Sequence, residues 1–105
     1  MLEIYIAPPE GKLNAALTRP AVIDALGNAG LVVEAQEERK VAGSERSFWS
    51  LRFAGSDAQL VLQEADEGLV FGTLEQSMFD TSTVPSVVCS ALEGLGWEVI
   101  EDDVG

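Results

Sequence analysis

Ser47-Phe48-Trp49-Ser50-Leu51-Arg52-Phe53, together with the two apolar runs that follow it, decides the fold. In an extended chain Trp49, Leu51 and Phe53 fall on one side, and Phe48, Ser50 and Arg52 on the other. Gly55-Ser56-Asp57 supplies turn chemistry, and Gln59-Leu60-Val61-Leu62-Gln63-Glu64 reads as a second strand. Ala65-Asp66-Glu67-Gly68 turns the chain again, and Leu69-Val70-Phe71-Gly72-Thr73-Leu74 is a third strand. Apolar runs of period two bounded by Gly and Asp clusters are the mark of consecutive hairpins. Ser47–Glu75 is therefore expected to be a meander at the centre of a sheet.

Outward from this stretch, the pattern changes twice to helical spacing. Leu2, Ile4 and Ile6 alternate with Glu3 and Tyr5 in an opening strand that Pro8-Pro9 ends, because proline cannot donate to a sheet ladder. Lys12–Leu17 is ambiguous and reads as at most a helical turn. A helix is expected from Thr18, an N-cap residue with Pro20 in the first turn. Val22, Ala25, Leu26 and Ala29 share a face, and Gly30 stands where a left-handed residue ends a helix. Leu31–Gln36 reads as a strand, and the polar Glu37–Glu45 as a hairpin loop. Beyond the meander, a second helix is expected from Thr83, with Val84, Val88, Ala91, Leu92 and Leu95 as its stripe. Gly94 and Gly96 end it, Trp97–Ile100 is a last strand, and Glu101–Gly105 is an acidic tail that frays.

The order β-α-β-β-β-β-α-β is that of an α+β domain. The chain of 105 residues is one domain by length. Its sheet is expected to be antiparallel or mixed, with both helices on one face. Right-handed crossovers run the first strand parallel to the second, and the fifth parallel to the sixth. The other face is expected either to be partly solvated or to join two copies as a homodimer, and Phe48 on the far side of its strand is a small hint of the latter. The two helical units also share a pattern, Thr18-Arg19-Pro20 with Thr83-Val84-Pro85 and Gly30-Leu31 with Gly96-Trp97. Any capped helix leading into a strand converges on it.

Charge is the unusual feature, with eighteen acids against six bases and a net charge of −12. Residues 1–52 hold seven acids and all six bases, whereas residues 53–105 hold eleven acids and no base. Such a field repels nucleic acid and anionic membranes and attracts basic proteins. No apolar run reaches the ~18 residues of a membrane span. The opening residues do not resemble a signal peptide. The single Cys89 excludes an internal disulfide. A cytoplasmic protein is the expectation.

Catalytic chemistry finds little support. The chain has no histidine, which removes the commonest general base and metal ligand and any Ser-His or Cys-His nucleophile pair. Cys89 sits on a helix margin with no basic neighbour in sequence, as a small hydrophobe. The acidic groups Glu37-Glu38, Asp66-Glu67 and Glu101-Asp102-Asp103 lack the spacing of a calcium loop. Gly27-Asn28-Ala29-Gly30 has the spacing of a backbone clamp found in some RNA-binding domains, but without its bases. A helix C-cap accounts for both glycines. No catalytic, metal or cofactor residue is therefore expected, and no enzyme.

The first functional expectation is an acidic interaction domain, such as an adaptor, inhibitor or immunity-like protein, that binds a basic protein. Its candidate contacts are Glu64, Asp66, Glu67, Glu75, Met78, Phe79 and Asp80, where the second and third meander strands meet the following loop. Carboxylates there steer encounter, and Met78 and Phe79 supply apolar contact. The basic stretch Arg39, Lys40, Arg46 and Arg52 could take an anion or the acidic half of another copy. The alternative is a small-molecule sensor with a pocket between helices and sheet.

Overall fold

The computed structural model describes residues 2–8, 18–40, 42–43, 46–65, 68–77 and 82–100. Along the chain these form β1 (Leu2–Ala7), α1 (Arg19–Asn28), β2 (Val33–Lys40), β3 (Ser47–Phe53), β4 (Gln59–Ala65), β5 (Gly68–Gln76), α2 (Val84–Gly94) and β6 (Glu98–Ile100). The strands make one six-stranded sheet in the order β2-β3-β4-β5-β1-β6. Every neighbouring pair is antiparallel. The fold is α+β in the order read from the sequence. β1 runs in the same direction as β2, and β5 as β6, but neither pair is adjacent: β1 inserts between β5 and β6, and three strands separate it from β2.

Alternation sorts the side chains. Leu51 and Phe53 of β3, Leu60 and Leu62 of β4, Leu69 and Leu74 of β5, and Ile6 of β1 form one buried face. Val22 and Leu26 of α1 and Val88 and Leu92 of α2 close over it in the same cluster. Each such aliphatic side chain contributes about 1.5–3 kcal/mol when fully buried. Leu69 reaches this face because β5 carries an extra residue opposite Gln63 and Glu64. This bulge shifts the alternation by one step. Trp97 is 3% exposed and lies over Gly72, where a β-carbon would sit 3.7 Å from Cζ3 of the indole.

The two helices end alike. The Leu31 amide donates to the Leu26 carbonyl at 3.1 Å, and the Trp97 amide to the Leu92 carbonyl at 3.0 Å. Gly30 and Gly96 have φ of 94° and 93°, the left-handed conformation that this six-residue closure requires. The resemblance in sequence thus marks the same C-terminal device. It does not extend to the N-termini. Thr18 Oγ1 accepts the Ala21 amide at 3.3 Å, whereas the Thr83 side chain makes no cap bond. The following strands also go to opposite edges of the sheet.

The largest boundary difference from the sequence reading is in β2. β2 runs from Val33 to Lys40, so Glu37–Lys40 is strand rather than loop. Seven of its eight residues are exposed. It is an edge strand with almost no buried side chain, and a charged edge is normal for such a strand. Polarity therefore did not mark a loop here. The proposed helical turn at Lys12–Leu17 and the tail Glu101–Gly105 lie outside the described residues.

Candidate functional site

Because both helices lie on one face, the other face of the sheet is open among the described residues. Its side chains form three rows across the strands, fixed by the pairing register. The first is Ala35, Arg52, Gln59, Glu75 and Glu3. The middle row is Glu37, Ser50, Val61, Thr73, Tyr5 and Ile100. The third starts with Arg39, Phe48, Gln63 and Phe71. It continues onto Ala7 and Glu98, which pair with each other.

This face is apolar at its centre and charged at its flanks. Phe48, Val61, Phe71 and Tyr5 are half-buried, and Ile100 is 46% exposed. Tyr5 and Phe71 stack with ring centroids 5.8 Å apart, a favourable offset aromatic geometry. The Tyr5 hydroxyl donates to Glu3 Oε1. On the β2–β3 side stand Arg39 and Arg52, with Glu37 between them in the rows. Arg46 just precedes β3 and donates to Gln63 Oε1 at 3.1 Å. On the β5–β1–β6 side stand Glu75, Glu3 and Glu98. Two shallow hollows adjoin one another at Gln59. One, about 370 Å³, is lined by Arg39, Phe48, Ser50, Gln59 and Val61. The other, about 290 Å³, is lined by Arg52, Asp57, Gln59, Glu75, Gln76 and Ser77.

The sequence-derived contacts do not all meet on this face. Glu75 belongs to it. Glu64 lies on the helix-facing side, in register with Ser47, and accepts the Trp49 indole N–H at 3.2 Å. The Arg19 guanidinium covers the same indole, 3.5 Å from the ring centroid. Glu64 is thus engaged at the edge of Trp49 and Arg19 at its face, on the opposite side of the sheet from Glu75. Asp66, Glu67, Met78, Phe79 and Asp80 lie outside the described residues. Of the basic stretch, Arg39, Arg46 and Arg52 belong to the open face. Lys40 follows the alternation of Gln36 and Glu38 to the other side. Tyr5, Phe71, Glu3 and Glu98 were missed as site residues. Alternation gave the facing of Glu3 and Tyr5, but no local signal said that β1 lies beside β5.

The end of the sheet near the second hollow is fastened by a polar network. Gln76, 7% exposed, donates through Nε2 to the Ser82 carbonyl at 3.3 Å and to Ser82 Oγ at 3.2 Å. Ser82 Oγ donates to Ser56 Oγ at 2.9 Å, and Ser56 Oγ accepts the Ala58 amide at 3.0 Å. Asp57 Oδ1 accepts the Ser77 amide at 3.2 Å. The β3–β4 turn, the end of β5 and the start of α2 are joined in this way.

Chemically reactive groups are sparse. Cys89 is half-buried on α2. Burial, and then the Glu93 carboxylate one turn on, push its thiol above the ordinary value of 9.0, away from nucleophilic character. Among the described residues no three His, Cys, Asp or Glu side chains gather as metal ligands, and no helix is long and apolar enough to cross a membrane. Compared with known protein families and with curated proteins, the chain matches none.

Proposed function

We propose that this chain is a non-enzymatic interaction domain whose open sheet face takes a protein partner presenting basic side chains. The observation that carries this reading is the composition of that face. A central aromatic and aliphatic patch, Phe48, Val61, Phe71 and Tyr5, adjoins a carboxylate flank of Glu75, Glu3 and Glu98. Apolar side chains anchor a docked surface, and rim carboxylates steer it and fix its register. The candidate contact Glu75 keeps its place in this reading, and the contact surface moves from the meander's end to the middle of the sheet. With Cys89 as its single cysteine, a reducing, cytoplasmic setting belongs to the same proposal.

A small-molecule pocket between helices and sheet is the weaker reading. Val22, Leu26, Val88 and Leu92 fill that interface against Leu51, Leu60 and Leu74, and the first hollow opens on the other face.

The test is a titration of isotopically labelled protein with a ten-residue arginine-rich peptide, followed by amide chemical shifts. Shifts should concentrate at Tyr5, Phe71, Thr73 and Glu75 and shrink as salt is raised. Shifts confined to α1 and α2, or none at millimolar peptide, would refute the reading.

A further inference from the structure

The open face carries both signs of charge, and they are arranged to suit a copy of itself. We propose that the partner seated on this face is a second copy of the chain, packed sheet to sheet about a two-fold axis parallel to the strands. This rests on the open face being the binding surface. Such an axis, passing over the gap between β4 and β5, exchanges the halves of the sheet and keeps each row at its own height. β2 then lies across the partner's β6, β3 across its β1, and β4 across its β5, given the observed strand order.

The register supplies the contacts. Arg39 on β2 and Glu98 on β6 occupy the same row, so Arg39 meets the partner's Glu98. Arg52 on β3 and Glu3 on β1 share another row, so Arg52 meets the partner's Glu3. Val61 falls on the partner's Thr73, and Gln63 on the partner's Phe71, beside the axis. Each charge pair occurs twice by symmetry. An axis perpendicular to the strands instead lays β2 and its arginine on the partner's β2, which loses both pairings. Charge pattern therefore selects one of the two ways of stacking the sheet on itself. Sheets pack ~10 Å apart, a gap that extended Arg and Glu side chains bridge from opposite sides.

The area is adequate. Six strands ~4.8 Å apart and three rows ~7 Å apart give a face of roughly 500 Å² in projection, so about 1,000 Å² over both copies. That is the lower bound for a specific interface. The net charge of −12 opposes association at low salt, and near-physiological ionic strength screens it beyond ~8 Å.

Sedimentation of the full chain at physiological salt tests the proposal. The wild type should associate as a dimer with a Kd of roughly 10–100 μM, as befits a small interface. Arg39→Glu and Glu98→Lys, both at exposed positions, should each weaken it about tenfold, and the two together in one chain should recover most of the loss. Arg52→Glu with Glu3→Lys forms a second, independent cycle. Circular dichroism verifies that each variant is folded. A wild type that stays monomeric at ~500 μM overturns the proposal, as does a dimer indifferent to all four reversals or a loss that neither double variant recovers. If the wild type is monomeric but the arginine-rich peptide still shifts the open-face amides, the self-association fails and the interaction-domain reading stands.

Discussion

Replacing Gln76 with leucine keeps the side-chain volume close to native and removes the amide that donates to Ser82 twice, at 3.2 and 3.3 Å. Two lost hydrogen bonds cost about 0.5–1.5 kcal/mol each. The added apolar burial at a site 7% exposed offsets part of this, leaving a net loss of about 1–2 kcal/mol. In urea, with an m-value of ~1–3 kcal/mol/M, the midpoint should fall by roughly 1 M, read by the fluorescence of Trp49 and Trp97. Ser56→Ala removes the acceptor of the Ser82 hydroxyl and of the Ala58 amide, and should cost about 1 kcal/mol. Because both changes act through Ser82, the double variant should lose less than the two single losses combined, with a coupling of at least ~0.5 kcal/mol. An unchanged midpoint for Gln76→Leu, or strict additivity with Ser56→Ala, would refute the view that this network clamps the β3–β4 turn to the end of β5.

Gly72→Ala should be tolerated, since its β-carbon meets Leu62 Cδ2 at 3.5 Å, Ile6 O at 3.6 Å and Trp97 Cζ3 at 3.7 Å. Gly72→Val should displace Trp97, costing about 1–3 kcal/mol with a red shift in emission on exposure of the indole. Arg19→Met should change stability by less than ~1 kcal/mol, because a lost cation–π contact of similar size is offset by removing a buried Nε that has no hydrogen-bond partner. A loss several times larger would mean that the guanidinium holds α1 in place. Cys89 should react slowly with a thiol reagent at neutral pH, and faster in Glu93→Gln, since Glu93 contributes to its raised pKa. The raised value also favours the protonated, folded form. Its stabilisation is complete below the ordinary thiol value of 9.0 and is lost as pH rises through the higher folded value. Denaturation midpoints measured across alkaline pH should show this decline, and Cys89→Ala should lessen it.

Local periodicity carried most of the fold. Trp49, Leu51 and Phe53 alternate with Phe48, Ser50 and Arg52, and Val22 and Leu26 are one turn apart, so element type and inward face follow from neighbours in sequence. Two things did not follow. β2 hides almost no side chain, so the hydrophobic pattern that marks a strand was missing from Glu37–Lys40, and only the backbone ladder to β3 makes it one. The position of β1 between β5 and β6 is set by long-range packing, including Ile6 beside Gly72 under Trp97. A residue's facing is local, but its neighbour across the sheet is not. Glu64 and Glu75 are close in sequence and fall on opposite faces, because the bulge and the alternation place them so, whereas Glu3 and Glu75 are distant in sequence and directly paired.

The near-absence of buried side chains on β2 has a consequence for how the protein breathes. Detaching this strand ruptures one ladder and uncovers little apolar surface, since seven of its eight residues already face water. Openings of that kind are local, and their free energy depends only weakly on denaturant because little surface is released. The amides that join β2 to β3 should therefore exchange hydrogen through small fluctuations whose rate hardly responds to low urea. Those between β4 and β5 should wait for cooperative unfolding. The sheet thus has a five-stranded body that unfolds as a unit and a sixth strand that comes and goes on its own clock.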